Sequence, residues 1–271
     1  TVTLYEAAPR AGGELATVSV NGEPVERFYH HLFTHDQLMI DLADELGLGS
    51  RLEWPEPEMA FYTHGRVYPF TSPLDLLRCS ALSPWARFRL GLGTLLLQRR
   101  EDFGPFEDHT AASVLPGYVG QESFETVFAP MLRAKFADHW NDVSMAWMWA
   151  RLRSRARTRT PNKRRERLGY FRGSFRVIVD ALLNSVQARG ACVRLGAPVE
   201  AISVGGHGRP AVRIGGVAVE ADAVVATVGL PVIRRLLPEA HQGFASELAA
   251  TSYVGACVVL LQLREQLSRF Y

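Results

Sequence analysis

Apolar and β-forming residues open the chain in a pattern that predicts a short buried strand. The run TVTLY closes at Glu6, Arg10 follows a few residues later, and the pair Gly12-Gly13 comes next. Glycines let backbone amides approach a pyrophosphate closely, and an arginine adds positive charge there. An acidic residue that ends a short apolar strand, with glycines just beyond it, is typical of the second half of a dinucleotide-binding βαβ unit.

Alternating apolar and polar positions predict two β-hairpins in the next part of the chain. LATVSVNGEPVERF turns at Asn21-Gly22, and EMAFYTHGRVYPF turns over 64–66. Between these hairpins, apolar residues at helical spacing predict a helix over 38–46 that ends at Gly47.

The pattern changes to helical spacing over about 72–160. Ser72 precedes Pro73 and Ser83 precedes Pro84, and this order of cap and first helical residue predicts two helix starts. Helical spacing continues through GQESFETVFAPMLRAKF and SMAWMWARLRSR. This part of the chain therefore reads as a mostly helical insertion.

Strand patterns return in the last hundred residues. LGYFRGSF predicts a strand, RVIVDALLNSVQARG a helix and CVRL a second strand, while VAVEADAVVAT alternates and then becomes continuously apolar. The order of βα, hairpins, helices and then βαβ predicts the α/β fold class. In that fold, a Rossmann-like nucleotide-binding domain is interrupted by a mostly helical domain.

Composition narrows the class of protein further. Hydrophobic residues make up 47% and charged residues 21% of the chain, as in an ordinary globular enzyme, and the net charge is +2. Three widely separated cysteines, Cys79, Cys192 and Cys257, argue against a disulfide framework or a zinc site. Because no apolar run approaches the roughly 18 residues of a membrane span and no signal peptide is recognisable, we expect a cytoplasmic location.

One strongly basic run, RLRSRARTRTPNKRRER over 151–167, leaves two interpretations open. It contains nine basic residues and one acidic residue, which is typical of a solvated helix end and loop. The alternative is attraction of an anionic substrate or peripheral contact with a membrane surface. No aromatic residue interrupts the run as a stacking platform for bases would, so we expect no nucleic-acid partner.

A few residues invite a catalytic interpretation. His30 and His31 are either acid–base groups or structural histidines, and the alternatives stay open. Met145, Trp149 and Leu152 lie near helical spacing, which favours a core position over a substrate cage. We find no paired carboxylates, G-x-S-x-G motif or metal-ligand cluster, so the sequence predicts neither a catalytic side chain nor a metal site.

Three segments of the chain resemble the flavin-containing amine oxidase superfamily, which includes monoamine oxidases, protoporphyrinogen oxidases and carotenoid desaturases. VTLYEAAPRAGGELATVSVNG is similar to the strand, Glu, R-x-G-G and hairpin near the start of these proteins. LGYFRGSFRVIVDALLNSVQARGACVRLGAPVEAI and DAVVATVGLPVIRRLL resemble two later segments, and all three occur in the family's order. The chain departs from the family at Phe28 and Tyr29, where small residues are expected beside the flavin.

The resemblance implies FAD as the cofactor and assigns roles to residues near the start of the chain. Glu6 would bind the adenosine ribose, and Arg10 would bind the pyrophosphate. Gly12 and Gly13 would pass beside the flavin side of the pyrophosphate.

Two later residues complete the cofactor site that the resemblance implies. The backbone of Val199 would meet the adenine. Thr227 would lie near the ADP part of the cofactor.

The resemblance also implies a division into domains. Residues 1–57 and 168–236 would form the FAD-binding domain, while 58–167 and 237–271 would form the substrate domain, largely helical over 72–160. The family's G-x-G-x-x-G unit would precede the first residue and its Gly-Asp segment would follow the last. We therefore expect the chain to be an internal piece of a longer flavoprotein, and its FAD-binding domain to be incomplete without the first βα unit.

The function implied is that of an FAD-dependent oxidoreductase that removes a hydride from a C–N or C–C bond of a hydrophobic small molecule. A large helical insertion suits an apolar substrate pocket. Two alternatives remain open at this point: a non-redox flavoenzyme similar to UDP-galactopyranose mutase, and an inactive fragment. The substrate, the electron acceptor and the oligomeric state are not predicted.

Overall fold

The structure is a computed structural model that describes residues 1–158, 166–238, 241–249, 251, 253 and 255–270. Its strands are β1 (Thr3–Tyr5), β2 (Thr17–Val20), β3 (Glu23–Glu26), β4 (Leu32–Phe33), β5 (Leu52–Glu53), β6 (Ala60–Thr63), β7 (Arg66–Pro69), β8 (Leu168–Phe171), β9 (Cys192–Arg194), β10 (Ala201–Val204), β11 (Pro210–Ile214) and β12 (Val217–Glu220). Its α-helices are α1 (Gln37–Glu45), α2 (Pro73–Arg78), α3 (Pro84–Arg99), α4 (Ala111–Val119), α5 (Gln121–Ser123), α6 (Ala129–Phe136), α7 (Met145–Arg157), α8 (Arg176–Ala188), α9 (Leu230–Leu236) and α10 (Gln242–Ala249).

Contacts along the chain divide it into two compact units. The first unit contains residues 1–30, 45–48 and 172–260. In it, β1 and β9 form a parallel pair, β2 and β3 form a hairpin, and β10, β11 and β12 form an antiparallel sheet. Helix α8 precedes β9, so a helix leads into the strand that pairs in parallel with β1.

The second unit contains residues 31–44, 49–171 and 261–271, and most of it is helical. A small antiparallel sheet has the order β4-β8-β5, and β6 and β7 form a separate hairpin. The core of this unit is a cluster of buried residues on and between the helices, which includes Leu90, Leu97, Leu115, Leu132, Phe128, Met145, Met148 and Trp149. The predicted core positions at Met145 and Trp149 are therefore confirmed.

Both predicted hairpins form, and their turns explain why. Asn21 and Gly22 both have positive φ, at 53° and 87°. His64 and Gly65 also have positive φ, at 49° and 73°. Two consecutive left-handed residues make the type I′ turn that matches the right-handed twist of the flanking strands.

The predicted serine caps begin two helices of the second unit. Ser72 accepts a hydrogen bond from the Asp75 amide, and Asp75 accepts one from the Ser72 amide, so the two residues form a capping box. Ser83 accepts from the Ala86 amide at the start of α3. Each cap satisfies an amide that has no partner within the helix.

The apolar segment after β12 differs from its prediction. VAVEADAVVAT has a strand-like pattern that alternates and then becomes continuously apolar, but β12 ends at Glu220 and residues 221–229 form no strand. A strand needs a neighbour for its amides and carbonyls, and within the described part of the chain no strand pairs with 223–228.

No helix among the described residues is long and apolar enough to cross a membrane.

Candidate functional site

Glu6 stands at the carboxyl end of β1, where backbone hydrogen bonds hold it against the end of β9. The Glu6 amide donates to the Arg194 carbonyl at 2.9 Å, and the Glu6 carbonyl accepts from the Ala197 amide at 2.9 Å. The Gly196 amide donates to the Ala8 carbonyl at the same distance. The segments that follow β1 and β9 are therefore hydrogen-bonded to each other at the carboxyl end of the parallel pair. This is the place where α/β proteins bind nucleotides.

The Glu6 side chain is held in place by its own turn. Its Oε1 accepts a hydrogen bond from the Ala8 amide at 2.7 Å. The residue is half-buried, and its Oε2 makes no hydrogen bond to any described residue. One oxygen thus fixes the carboxylate, and the other is available to a ligand.

The loop after Glu6 presents unused donors. Arg10 is exposed, and its guanidinium makes neither a hydrogen bond nor an ion pair within the described residues. The amides of Ala11, Gly12 and Gly13 also donate to no described acceptor. Gly12 has φ +134°, a conformation that other residues rarely adopt, so this loop conformation requires glycine.

Val199 and Thr227 lie in the same unit as the other four predicted cofactor residues. Val199 is half-buried and comes two residues after Ala197, whose amide donates to the Glu6 carbonyl, and its role at the adenine stays a prediction. Thr227 is exposed between β12 and α9, and no hydrogen bond within the described residues connects it to the other five. Its role stays a prediction.

Glu26 is a buried residue that sequence reasoning missed. It lies at the end of β3, is 4% exposed, and its Oε1 accepts from the Phe175 amide at 2.6 Å. This carboxylate lies at the amino end of α8, where a negative charge is favourable. Gly173 and Ser174 both have positive φ and form the turn that orients the Phe175 amide toward Glu26. A second glutamate at the end of the short hairpin strand, directly after Val25, was the available signal.

A cleft of about 470 Å³ lies beside this hairpin in the first unit. It is lined by Val18, Arg27, Phe28, Val258 and Leu260. The large side chain at position 28, which departs from the family pattern, therefore lies on the wall of a largely apolar cleft.

His30 is tied to the backbone near the same hairpin. Its Nδ1 lies 2.7 Å from the Phe28 carbonyl oxygen. Because a carbonyl only accepts, Nδ1 carries the proton and donates. The His30 ring also lies 6.0 Å from the Phe175 ring.

Two carboxyl groups with lowered pKa values lie in the second unit, and both act at helix starts. Burial raises the pKa of Asp75, but hydrogen bonds from Ser72 and Thr71 outweigh burial and lower it. Hydrogen bonds from the side chain and amide of Ser83 lower the pKa of Glu122. Within the described residues, no group of three His, Cys, Asp or Glu side chains is arranged to hold a metal ion.

The basic run is only partly described. Residues 159–165 lie outside the described residues, so both interpretations of the run 151–167 stay predictions. On α7, Arg153 donates to the Glu101 carbonyl at 2.9 Å and lies over the Trp149 ring.

Comparisons with solved structures give the fold context of this site. An oxidoreductase from Methanosarcina mazei aligns with a TM-score of 0.67 and 16% identity, over 92% of this chain and 59% of its own. A candidate protoporphyrinogen oxidase from Exiguobacterium sp. 255-15 gives 0.64 and 20%, over 90% and 57%. Cyclohexylamine oxidase from Brevibacterium oxydans IH-35A gives 0.61 and 13%, over 89% and 56%.

These similarities establish a shared α/β flavoprotein fold, as predicted, and this chain spans less than two thirds of the length of each of these proteins. The sequence profile of the family described as flavin containing amine oxidoreductase matches residues 1–269. Because that match covers almost the whole sequence, the chain belongs to the flavin containing amine oxidoreductase family.

Proposed function

We propose that the protein is an FAD-dependent oxidoreductase that removes a hydride from a C–N or C–C bond of a hydrophobic small molecule. The observation that carries this proposal is the turn after β1. There, a fixed carboxylate lies within eight residues of a guanidinium and three amides that pair with no described residue, over the turn from Glu6 to Gly13. The family match supports the cofactor. FAD supplies the hydride acceptor when bound, and the protein binds and orients it.

Glu6 is the residue that would recognise the adenosine ribose. A carboxylate at the end of a parallel strand accepts hydrogen bonds from ribose hydroxyls. The Ala8 amide already holds Oε1, so the orientation of the Glu6 carboxylate is fixed before a ligand binds. Binding through Oε2 would therefore cost little side-chain entropy.

Arg10 and the amides of the glycine loop would bind the pyrophosphate. Charge-assisted bonds from a guanidinium to phosphate are among the stronger hydrogen bonds in proteins. Among the described residues, no carboxylate pairs with Arg10 and no acceptor bonds to these amides, so a phosphate would displace neither. This donor set fits an anion with two negative charges. We propose that the first unit binds FAD and that the second binds substrate.

Flavin retention tests the cofactor site. The longer flavoprotein that contains this chain should carry flavin, measured by its visible absorbance, and Glu6→Gln in that protein should lower the affinity for FAD by at least about tenfold because a charged acceptor is lost. Glu23→Gln is the matched control, since Glu23 is an exposed glutamate at the tip of the β2–β3 hairpin. Equal flavin affinity in the two variants would contradict the assignment of Glu6.

Anaerobic reduction tests the reaction. An amine or a cyclic alkene donor that is oxidised should bleach the flavin absorbance without any added reductant, and oxidised product should accumulate in step. A protein that requires reduced flavin and releases only an isomer of its substrate would refute the oxidoreductase proposal and favour the mutase-like alternative.

A further inference from the structure

A cavity of about 370 Å³ lies within the second unit and is here called the α2 cavity. Its wall is formed by the end of strand β7, by helix α2 and by the segments around residues 58 and 269. Its volume falls in the range of pockets that hold small ligands. The lining residues that bear on its chemistry are Glu58, Tyr68, Asp75, Arg78, Cys79 and Arg269.

Four of these lining side chains are charged, and two of the four pair with each other. The Arg269 Nε lies 3.5 Å from the Glu58 Oε2, which is the distance of an ion pair. The other two, Asp75 and Arg78, lie three residues apart on α2. Residues at this spacing share one face of a helix, with Cβ atoms about 5–6 Å apart. Among the ion pairs of the described residues, none joins Asp75 to Arg78.

Asp75 presents a fixed carboxylate with one oxygen in use. Its Oδ2 accepts hydrogen bonds from the Ser72 amide at 2.7 Å, the Ser72 hydroxyl at 2.9 Å and the Thr71 amide at 3.1 Å. Its Oδ1 accepts from no described residue. Burial raises the pKa of Asp75, but these hydrogen bonds lower it further, so the group is ionised at neutral pH. Asp75 is therefore an oriented anionic acceptor at the wall of the cavity.

Arg78 presents the complementary donor. Its guanidinium makes neither a hydrogen bond nor an ion pair with any described residue. A guanidinium binds a carboxylate through two parallel hydrogen bonds. The Tyr68 ring, which stacks on Phe61 with centroids 5.6 Å apart, adds an apolar wall to the cavity.

We propose that the α2 cavity binds a zwitterionic α-amino acid, with the ammonium group on Asp75 and the carboxylate on Arg78. An α-amino acid carries both charges on one carbon, and one helical turn of α2 presents the two opposite charges. A ligand with a single charge fits less well, because either Asp75 or Arg78 would then face it without a partner. Tyr68 and Phe270 in the wall favour an apolar or aromatic side chain on the amino acid.

Calorimetry with three matched ligands tests the two charges separately, in the longer flavoprotein that contains this chain. L-phenylalanine has both charged groups, 2-phenylethylamine lacks the carboxylate and 3-phenylpropionate lacks the ammonium group. L-phenylalanine should bind, and each analogue should bind at least about tenfold more weakly because one charge-assisted contact is missing. The proposal concerns binding alone, so it holds whichever bond the flavin oxidises.

A variant of the exposed Arg78 locates the carboxylate. Arg78→Gln should remove the preference for L-phenylalanine over 2-phenylethylamine, while the preference over 3-phenylpropionate should remain. Arg66→Gln is the matched control, since Arg66 is an exposed arginine of the same hairpin that does not line the cavity. It should bind all three ligands as the wild type does. Thermal melts followed by circular dichroism show that both variants are folded.

The thiol of Cys79 reports whether the cavity is occupied. Cys79 is 2% exposed and lines the same cavity. Its alkylation by iodoacetamide, followed by mass spectrometry of peptides, should slow about tenfold at an L-phenylalanine concentration ten times the Kd, because only the empty cavity admits the reagent. The half-buried Cys192 of the first unit should react at an unchanged rate.

Four results would overturn the proposal. They are no heat of binding from L-phenylalanine with folded wild-type protein, equal affinities for the three ligands, unchanged ligand preference in Arg78→Gln, and L-phenylalanine binding that leaves the alkylation of Cys79 unaffected. The last of these would place the amino acid elsewhere in the protein.

Discussion

Substitution of Gly93 by alanine tests the packing of the helical unit most sharply. A Cβ at Gly93 would overlap the Tyr118 carbonyl oxygen and lie 3.1 Å from the Val119 amide nitrogen. Both atoms belong to the backbone of α4, so no side-chain rotation relieves the overlap and the two helices must separate. Overpacking of a core costs about 1–3 kcal/mol, and a backbone clash lies at the upper end of that range.

The better helix propensity of alanine offsets up to about 1 kcal/mol of this cost. The free energy of unfolding should therefore fall by about 2 kcal/mol. At roughly 2–4 °C per kcal/mol for a unit of this size, the Tm should fall by about 4–8 °C. The assay is thermal unfolding followed by circular dichroism, which reports on the helices.

Gly91→Ala is the matched control for this experiment. It lies in the same helix, and its new Cβ would meet only the Leu76 side chain, at 3.5 Å. Ordinary contact and better propensity should keep or raise the Tm. If Gly93→Ala were as stable as Gly91→Ala, the close approach of α3 to α4 would be refuted.

Three further outcomes follow from local contacts. Trp149→Phe removes the bond from the indole Nε1 to the buried Leu97 carbonyl, 3.0 Å long, and should cost about 1–3 kcal/mol in denaturant unfolding. Ala137→Gly should stabilise by about 1 kcal/mol in the same assay, because Ala137 has φ 47° and ψ −125°, a conformation that favours glycine. The lowered folded-state pKa of Glu122 stabilises the protein above its unfolded pKa, and this contribution is lost as pH falls through the folded pKa. Glu122→Gln should therefore lower the Tm at neutral pH, and the difference should vanish in acid, as a pH series of melts would show.

Local signals in the sequence predicted much of the fold. The turn at Asn21-Gly22 and the caps at Ser72 and Ser83 depend on residues within a few positions of each other, and all three are present. The apolar run over 223–226 has the pattern of a strand that does not form, because pairing depends on a partner strand and not on the run itself.

The candidate site was less accessible to local reasoning. Glu26 and Phe175 are 149 residues apart, and nothing in either segment specifies that they hydrogen-bond. The approach of Glu6 to Ala197 is equally remote in sequence, and only the resemblance to a family of flavoproteins suggested it. The sequence alone indicated the chemical character of these residues. Which of them lie together depends on long-range packing, which local patterns do not specify.

The role of Glu6 is the central claim, and a double-mutant cycle with a ligand tests it most directly. Binding of ADP and of 2′,3′-dideoxy-ADP would be measured by calorimetry for the wild type and for Glu6→Gln. Removal of the ribose hydroxyls should cost the wild type about tenfold or more in affinity and should cost the variant little further, because both changes delete one interaction. Equal losses from the hydroxyls in both proteins would contradict the account.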